Sequence, residues 1–171
     1  MTKVLASAVA ALCAIVLAVP AAFSGGIGAS EQAPAATASA VDLAAADRVV
    51  VAARSQLGVP YVWGASTPGI GFDCSGLVQW AYAQAGIRLP RTTAELVRVG
   101  EAVGPADLQP GDLVFSRGGR PVHDLGHVAI YTGGDQVIVA PHTGARVRVQ
   151  QLDAARVQAV RRVIPRPAMA A

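Results

Sequence analysis

The run Gly71-Phe72-Asp73-Cys74-Ser75-Gly76-Leu77-Val78-Gln79-Trp80 holds the residue best suited to chemistry, a cysteine at what reads as a helix start. Turn formers precede Cys74, Asp73 has the side chain of a helix N-cap, and Leu77, Val78 and Trp80 begin an amphipathic pattern. The positive end of a helix favours the thiolate, which is the nucleophilic form of cysteine. Such a nucleophile needs a base, and the chain offers three histidines: His123, His127 and His142. His127 opens the run His127-Val128-Ala129-Ile130-Tyr131, and His142 follows Val137-Ile138-Val139-Ala140-Pro141. Gly133-Gly134 between the runs reads as a hairpin turn, which sets His127 opposite residue 140 or 141 and makes His142 its cross-strand or diagonal neighbour. Two imidazoles at one end of a hairpin suit a base with an orienting partner. One thiolate and three imidazoles could also suit zinc, but Gly126 and the strand pattern after it argue against a helical pair of histidine ligands. No metal or cofactor is therefore expected, and His123 reads as a loop residue.

The elements that must position these groups follow from capping and periodicity. Asp42 can cap a helix running to Leu57, with Gly58 as its stop. Val59-Pro60-Tyr61-Val62-Trp63-Gly64 then runs extended into a turn-rich loop through Gly71, with Trp63 expected as a core aromatic beside the cleft. The Cys74 helix should end at Gly86, and Thr92 with Glu95 has capping-box spacing for a short helix towards Val99. After Gly104, short apolar runs alternate with turn residues: Asp112–Ser116, His127–Thr132, Gln136–Ala140, Arg146–Gln151 and Val157–Val163. These read as antiparallel strands, and Arg146-Val147-Arg148-Val149-Gln150 alternates as a sheet with one wet face should. Helices first and strands afterwards imply an α+β fold, with the N-terminal helices packed on a central antiparallel sheet of about five or six strands. Asp112, in a Pro-Gly-Asp turn, reads as structural.

The chain of 171 residues has room for one ordinary domain. Lys3 and the apolar stretch from Val4 to Val19 read as a secretory signal over 1–23, with cleavage after Ala21 or Ala29. If it stays uncleaved, this segment becomes a membrane anchor. Residues 24–41, rich in Gly, Ala, Ser and Pro, read as a flexible tether; 42–165 as the folded domain; and 166–171 as a disordered tail. Leu12 before Cys13 argues against lipidation, and removal of the signal leaves Cys74 without a disulfide partner. Lys3 is the only lysine, so the remaining thirteen basic residues are arginines, set against 11 acidic ones. That balance suits an anionic surface and excludes a nucleic-acid footprint. Arg156, Arg161, Arg162 and Arg166 form a local basic bias, read either as a solvated strand face or as a wall-binding patch.

Five local sequences stand in a telling order: Pro60-Tyr61-Val62-Trp63-Gly64, Asp73-Cys74-Ser75-Gly76, Leu89-Pro90-Arg91-Thr92, Pro110-Gly111-Asp112-Leu113-Val114-Phe115 and His127-Val128-Ala129-Ile130-Tyr131. Together they resemble the NlpC family of bacterial cell-wall endopeptidases over about residues 45 to 152. The resemblance implies a papain-like fold and hydrolysis of peptidoglycan stem peptides, usually at the bond between γ-D-glutamate and a diamino acid such as meso-diaminopimelate. By matching motif it implies Cys74 as nucleophile, His127 as base, and His142 as the third polar residue holding the His127 ring. Tyr61 matches a tyrosine that helps bind substrate or the oxyanion; Asp73, Ser75 and Arg91 match positions lining the substrate cleft. An exported, monomeric enzyme of the cell wall or periplasmic space is the expectation. The alternatives are a wall-binding protein with little turnover, and an amidase or acyltransferase using the same pair of residues.

Overall fold

The computed structural model of the chain describes residues 35–117 and 126–165, with side chains described from residue 42 onward. The expected signal, the first part of the tether, His123 and the C-terminal tail lie outside the described residues. Helix α1 spans Ala35–Ser55, so it begins seven residues before Asp42, inside the stretch expected as tether. The physical reason is composition: Ala35 to Ala40 contains no Gly or Pro, and alanine is the strongest helix former. Ala45, Ala46, Val49, Ala52 and Ala53 form the helical stripe that α1 buries.

Helix α2, Cys74–Gln84, packs on α1 and across the sheet, burying Leu77, Val78, Ala81 and Tyr82. It ends in a Schellman motif: Gly86 N donates to Ala83 O at 3.0 Å and Ile87 N to Tyr82 O at 3.0 Å, with Gly86 at φ +81°. Helix α3, Thr93–Leu96, is fixed by the Thr92–Glu95 capping box read from the sequence.

A two-stranded hairpin, β1 Ser66–Thr67 with β2 Gly71–Phe72, occupies the segment expected as a loop. Strands of two residues have no periodicity to detect, and Pro68-Gly69 carries only the turn signal. The main sheet is antiparallel and six-stranded, ordered β3 Glu101–Ala102, β8 Val157–Arg162, β4 Leu113–Ser116, β5 His127–Gly133, β6 Gln136–Val139 and β7 Arg148–Gln151. The fold is thus α+β as expected, with β3 as an additional short edge strand. The hairpin turn lies one residue later than expected: Gly134 and Asp135, at φ 60° and 55°, form the two-residue loop, and a bulge falls between Tyr131 and Gly133.

Alternation along β5 divides the interior. Val128 and Ile130 join α1, α2, Phe115, Ile138 and Ala140 in the larger core cluster, whereas Ala129 and Tyr131 join Val114, Val137 and Val139 in a smaller one on the other face. Asp112 ties the strands together. Its carboxylate takes Arg162 Nε at 3.0 Å and Nη2 at 2.8 Å, and Gln109 N at 2.8 Å. This is the structural role read from its turn, and it employs one of the C-terminal arginines internally.

Candidate active site

Cys74 is the first residue of α2 and is buried. Asp73 caps the helix: Oδ1 accepts Gly76 N at 2.7 Å, and the Asp73 carbonyl accepts Leu77 N at 3.0 Å. That pattern leaves the N–H groups of Cys74 and Ser75 without a hydrogen-bond partner among the described residues. Gly76 is obligatory here. A Cβ on it would collide with the Ala65 carbonyl, which accepts Asp73 N at 3.0 Å and holds the 64–65 loop over the helix start.

The Asp73 carboxylate is used within the protein. Arg91 Nη2 donates to Oδ2 at 2.7 Å and Nη1 to Oδ1 at 2.9 Å, while Gly64 N donates to Oδ2 at 2.9 Å. Arg91 Nη1 also donates to Ser75 Oγ at 2.8 Å, and Ser75 Oγ reaches Asp73 Oδ1 at 3.4 Å. The Asp73 hydrogen bond is the main cause of the raised Arg91 pKa. Asp73, Ser75 and Arg91, expected to line the substrate cleft, form a clamp around the residues flanking Cys74. Asp73 and Ser75 are buried and Arg91 half-buried. The sequence could not reveal this, because Asp73 and Arg91 stand eighteen residues apart.

Tyr61 is half-buried, and its hydroxyl has no hydrogen-bond partner among the described residues. Burial raises its pKa first, followed by Cys74 and Asp73, with Arg91 opposing; the hydroxyl therefore keeps its proton and lies within electrostatic reach of Cys74. Trp63 corrects the sequence reading: at 83% exposure it stands in solvent rather than in the core.

His127 opens β5 and pairs with Ser116 of β4. Continuing the Ile130–Ile138 register sets it opposite Pro141, one of the two partners expected. One end of the sheet gathers the remaining groups. Beyond β6, Pro60 bridges Arg146, Tyr61 N donates to Ala145 O at 2.9 Å, and Tyr61 bridges Phe72, the residue two before Cys74. Helix α2 itself packs across β5. Among the described residues no hydrogen bond joins Cys74 Sγ to the imidazole, and a polar neighbour of the sulfur is Thr93 Oγ1 at 3.8 Å.

Burial lowers the His127 pKa to about 4, helped by electrostatic repulsion from Arg156, His142 and Arg148. A neutral imidazole is what a proton acceptor requires. His142 lies close enough to influence His127, yet it is exposed and its Nδ1 sits 3.0 Å from Thr143 O, so no hydrogen bond holds the two rings together. Alternation places His127 on the face of Ala129 and Val139, where its same-face diagonal neighbour across β6 is a valine. Among the described residues no group of His, Cys, Asp and Glu could hold a metal ion.

Residues 58–164 match the NlpC/P60 family. The chain belongs to that family. It is similar to the probable endopeptidase Rv2190c of Mycobacterium tuberculosis H37Rv, 45% identical over 114 residues, which are 66% of this chain and 28% of the relative. It is also similar to the gamma-DL-glutamyl hydrolase of Bacillus subtilis 168, 47% identical over 103 residues, covering 59% of this chain and 25% of that protein. The chain thus spans about a quarter of the length of these two relatives. Among solved structures it resembles the peptidoglycan hydrolase RipB of M. tuberculosis, with 33% identity and a TM-score of 0.65 over 83% of this chain and 74% of that one. The NlpC/P60 domain accounts for the sheet, for α2 with its cysteine, and for the clamp. Helix α1 begins ahead of the matched region.

Proposed function

We propose that this chain is an exported cysteine endopeptidase that hydrolyses peptidoglycan stem peptides at the bond between γ-D-glutamate and a diamino acid. The observation that carries the reading is a buried cysteine at a capped helix start in an NlpC/P60 domain whose strand β5 opens on a histidine kept neutral. Relatives bearing endopeptidase and glutamyl hydrolase names support the reaction class and the bond.

In this mechanism the Cys74 thiol passes its proton to His127 as sulfur attacks the amide carbon. The N–H groups of Cys74 and Ser75 and the Tyr61 hydroxyl face the developing oxyanion, and one such donor is typically worth about 3 kcal/mol. The tetrahedral intermediate collapses, the C–N bond breaks, and His127 delivers the proton to the departing amine. Water then attacks the thioester while His127 takes its proton, and that proton returns to sulfur as the acid leaves. His142 acts on this sequence through His127.

The test is mass spectrometry of muropeptides after digesting purified wall with the chain and with its Cys74→Ala variant. The expected result is stem peptides cut after D-glutamate by the first and intact peptides with the second. Cleavage at the D,D cross-link would refute the bond, and activity surviving in Cys74→Ala would refute the mechanism.

A further inference from the structure

The described environment of His127 opposes its protonation, because partial burial and repulsion from Arg156 and Arg148 both disfavour the charged ring. A preformed thiolate–imidazolium pair is disfavoured in such surroundings, and the thiolate needs other donors. Among the described residues, Tyr61, Asp73, Arg91 and Thr93 lie around the sulfur or its neighbours. Asp73 and Arg91 neutralise each other at 2.7 Å. Tyr61 is turned to the oxyanion in the mechanism above. Thr93 is the one whose hydroxyl lies against sulfur, with Oγ1 3.8 Å from Sγ.

Three anchors build that contact. Arg91, two residues before Thr93, is clamped to Asp73 and Ser75 on either side of the cysteine. Thr92 is tied by its capping box, with Thr92 Oγ1 donating to Glu95 Oε2 at 2.6 Å and Thr92 N to the same oxygen at 3.1 Å. Leu96, fully buried, then pins the far end of α3 to the core. Arg91, Thr92 and Leu96 thus hold the backbone on both sides of Thr93 beside the cysteine.

We infer that Thr93 is a positioning and donor residue for the nucleophile: its hydroxyl donates to Cys74 Sγ once the proton has left, stabilising the thiolate. The proton lost from sulfur still goes to His127; the threonine keeps its own. The inference rests on Cys74 being the nucleophile, but its test needs no peptidoglycan.

The experiment measures alkylation of the full chain by iodoacetamide as a function of pH, read on the Cys74 peptide by mass spectrometry so that Cys13 does not contribute. Thr93→Val keeps the shape and deletes the donor, whereas Thr93→Ser retains it. A hydrogen bond to a charged group is worth about 1.5 kcal/mol, so the half-point should rise by about one pH unit in Thr93→Val and stay near wild type in Thr93→Ser. Wall hydrolysis near neutral pH should fall about tenfold in the valine variant and recover at higher pH. Circular dichroism and thermal melts establish that both variants fold. In a folded Thr93→Val protein either of two results would overturn the assignment: a lowered half-point, because the hydroxyl would then be accepting from the thiol, or an unchanged one, because it would favour neither form. A shifted half-point without any wall hydrolysis, in wild type or variant, would leave this assignment standing and refute the proposed function instead.

Discussion

Replacing Asp73 tests the clamp most sharply, because the family resemblance implies a position lining the substrate cleft and the structure shows its carboxylate bonded within the protein. Asp73→Ala removes the N-cap of α2, worth about 1 kcal/mol. It also strips Arg91 of two charge-assisted hydrogen bonds at 2.7 and 2.9 Å. The Arg91 side chain is one-third exposed, so water compensates part of that loss and about 1–2 kcal/mol remains. Gly64 N loses its acceptor as well, but the glycine is exposed and water can replace it cheaply. The expected cost is therefore roughly 2–3 kcal/mol, a fall in Tm on the order of 10 °C for a domain of this size. Asp73→Asn should cost less, since asparagine caps a helix well, and the difference isolates the ion pair. Urea denaturation of wild type, Asp73→Asn, Arg91→Gln and the double variant gives the coupling directly, expected at about 1 kcal/mol. A coupling near zero with an unaltered melting temperature, accompanied by a raised KM, would refute the clamp and return Asp73 to the substrate.

Four further outcomes follow from the base and its surroundings. The folded-state pKa of His127, about 4, lies below its ordinary 6.5, so the unfolded chain takes up a proton that the fold refuses between those values. Stability should rise with pH from about 4 to about 6.5 and level off above it, and chemical denaturation of His127→Gln should lack that slope. His127→Ala should lower kcat/KM on muropeptide substrate by about a thousandfold, at the upper part of the range for losing a general base. His142→Ala should cost less than tenfold, because its ring bonds its own neighbour Thr143; equal losses in the two variants would make His142 an obligatory orienter. Val139→Glu puts a carboxylate diagonally beside His127 on the same sheet face, which should raise the imidazole titration midpoint in NMR at a stability cost of about 2 kcal/mol.

Local signals carried much of this structure. The start of α2, the capping box of α3, the strands around His127 and the Schellman end at Gly86 were legible because capping and alternation involve residues within a few positions of one another. Where the rule spans a longer reach, the reading slipped. The hairpin turn moved to Gly134-Asp135 because a bulge absorbs one residue. Trp63 turned outward because the β1–β2 hairpin, too short for a periodic signal, sets the path of the chain on either side of it.

By itself, the order of residues in this chain settled the class of fold, the helix start that holds Cys74, and the strand that begins at His127. Each of these depends on neighbours along the backbone. Only tertiary structure decided what the polar residues around them do. It joined Asp73, Ser75 and Arg91 in a clamp, left the Tyr61 hydroxyl without a hydrogen-bond partner among the described residues, set Thr93 against the sulfur and brought Arg156 and Arg148 near enough to repel a proton from His127. The physical reason is that a side chain's partner and burial are set by chain segments far away in sequence. Spacing along the chain cannot report them until the sheet has closed.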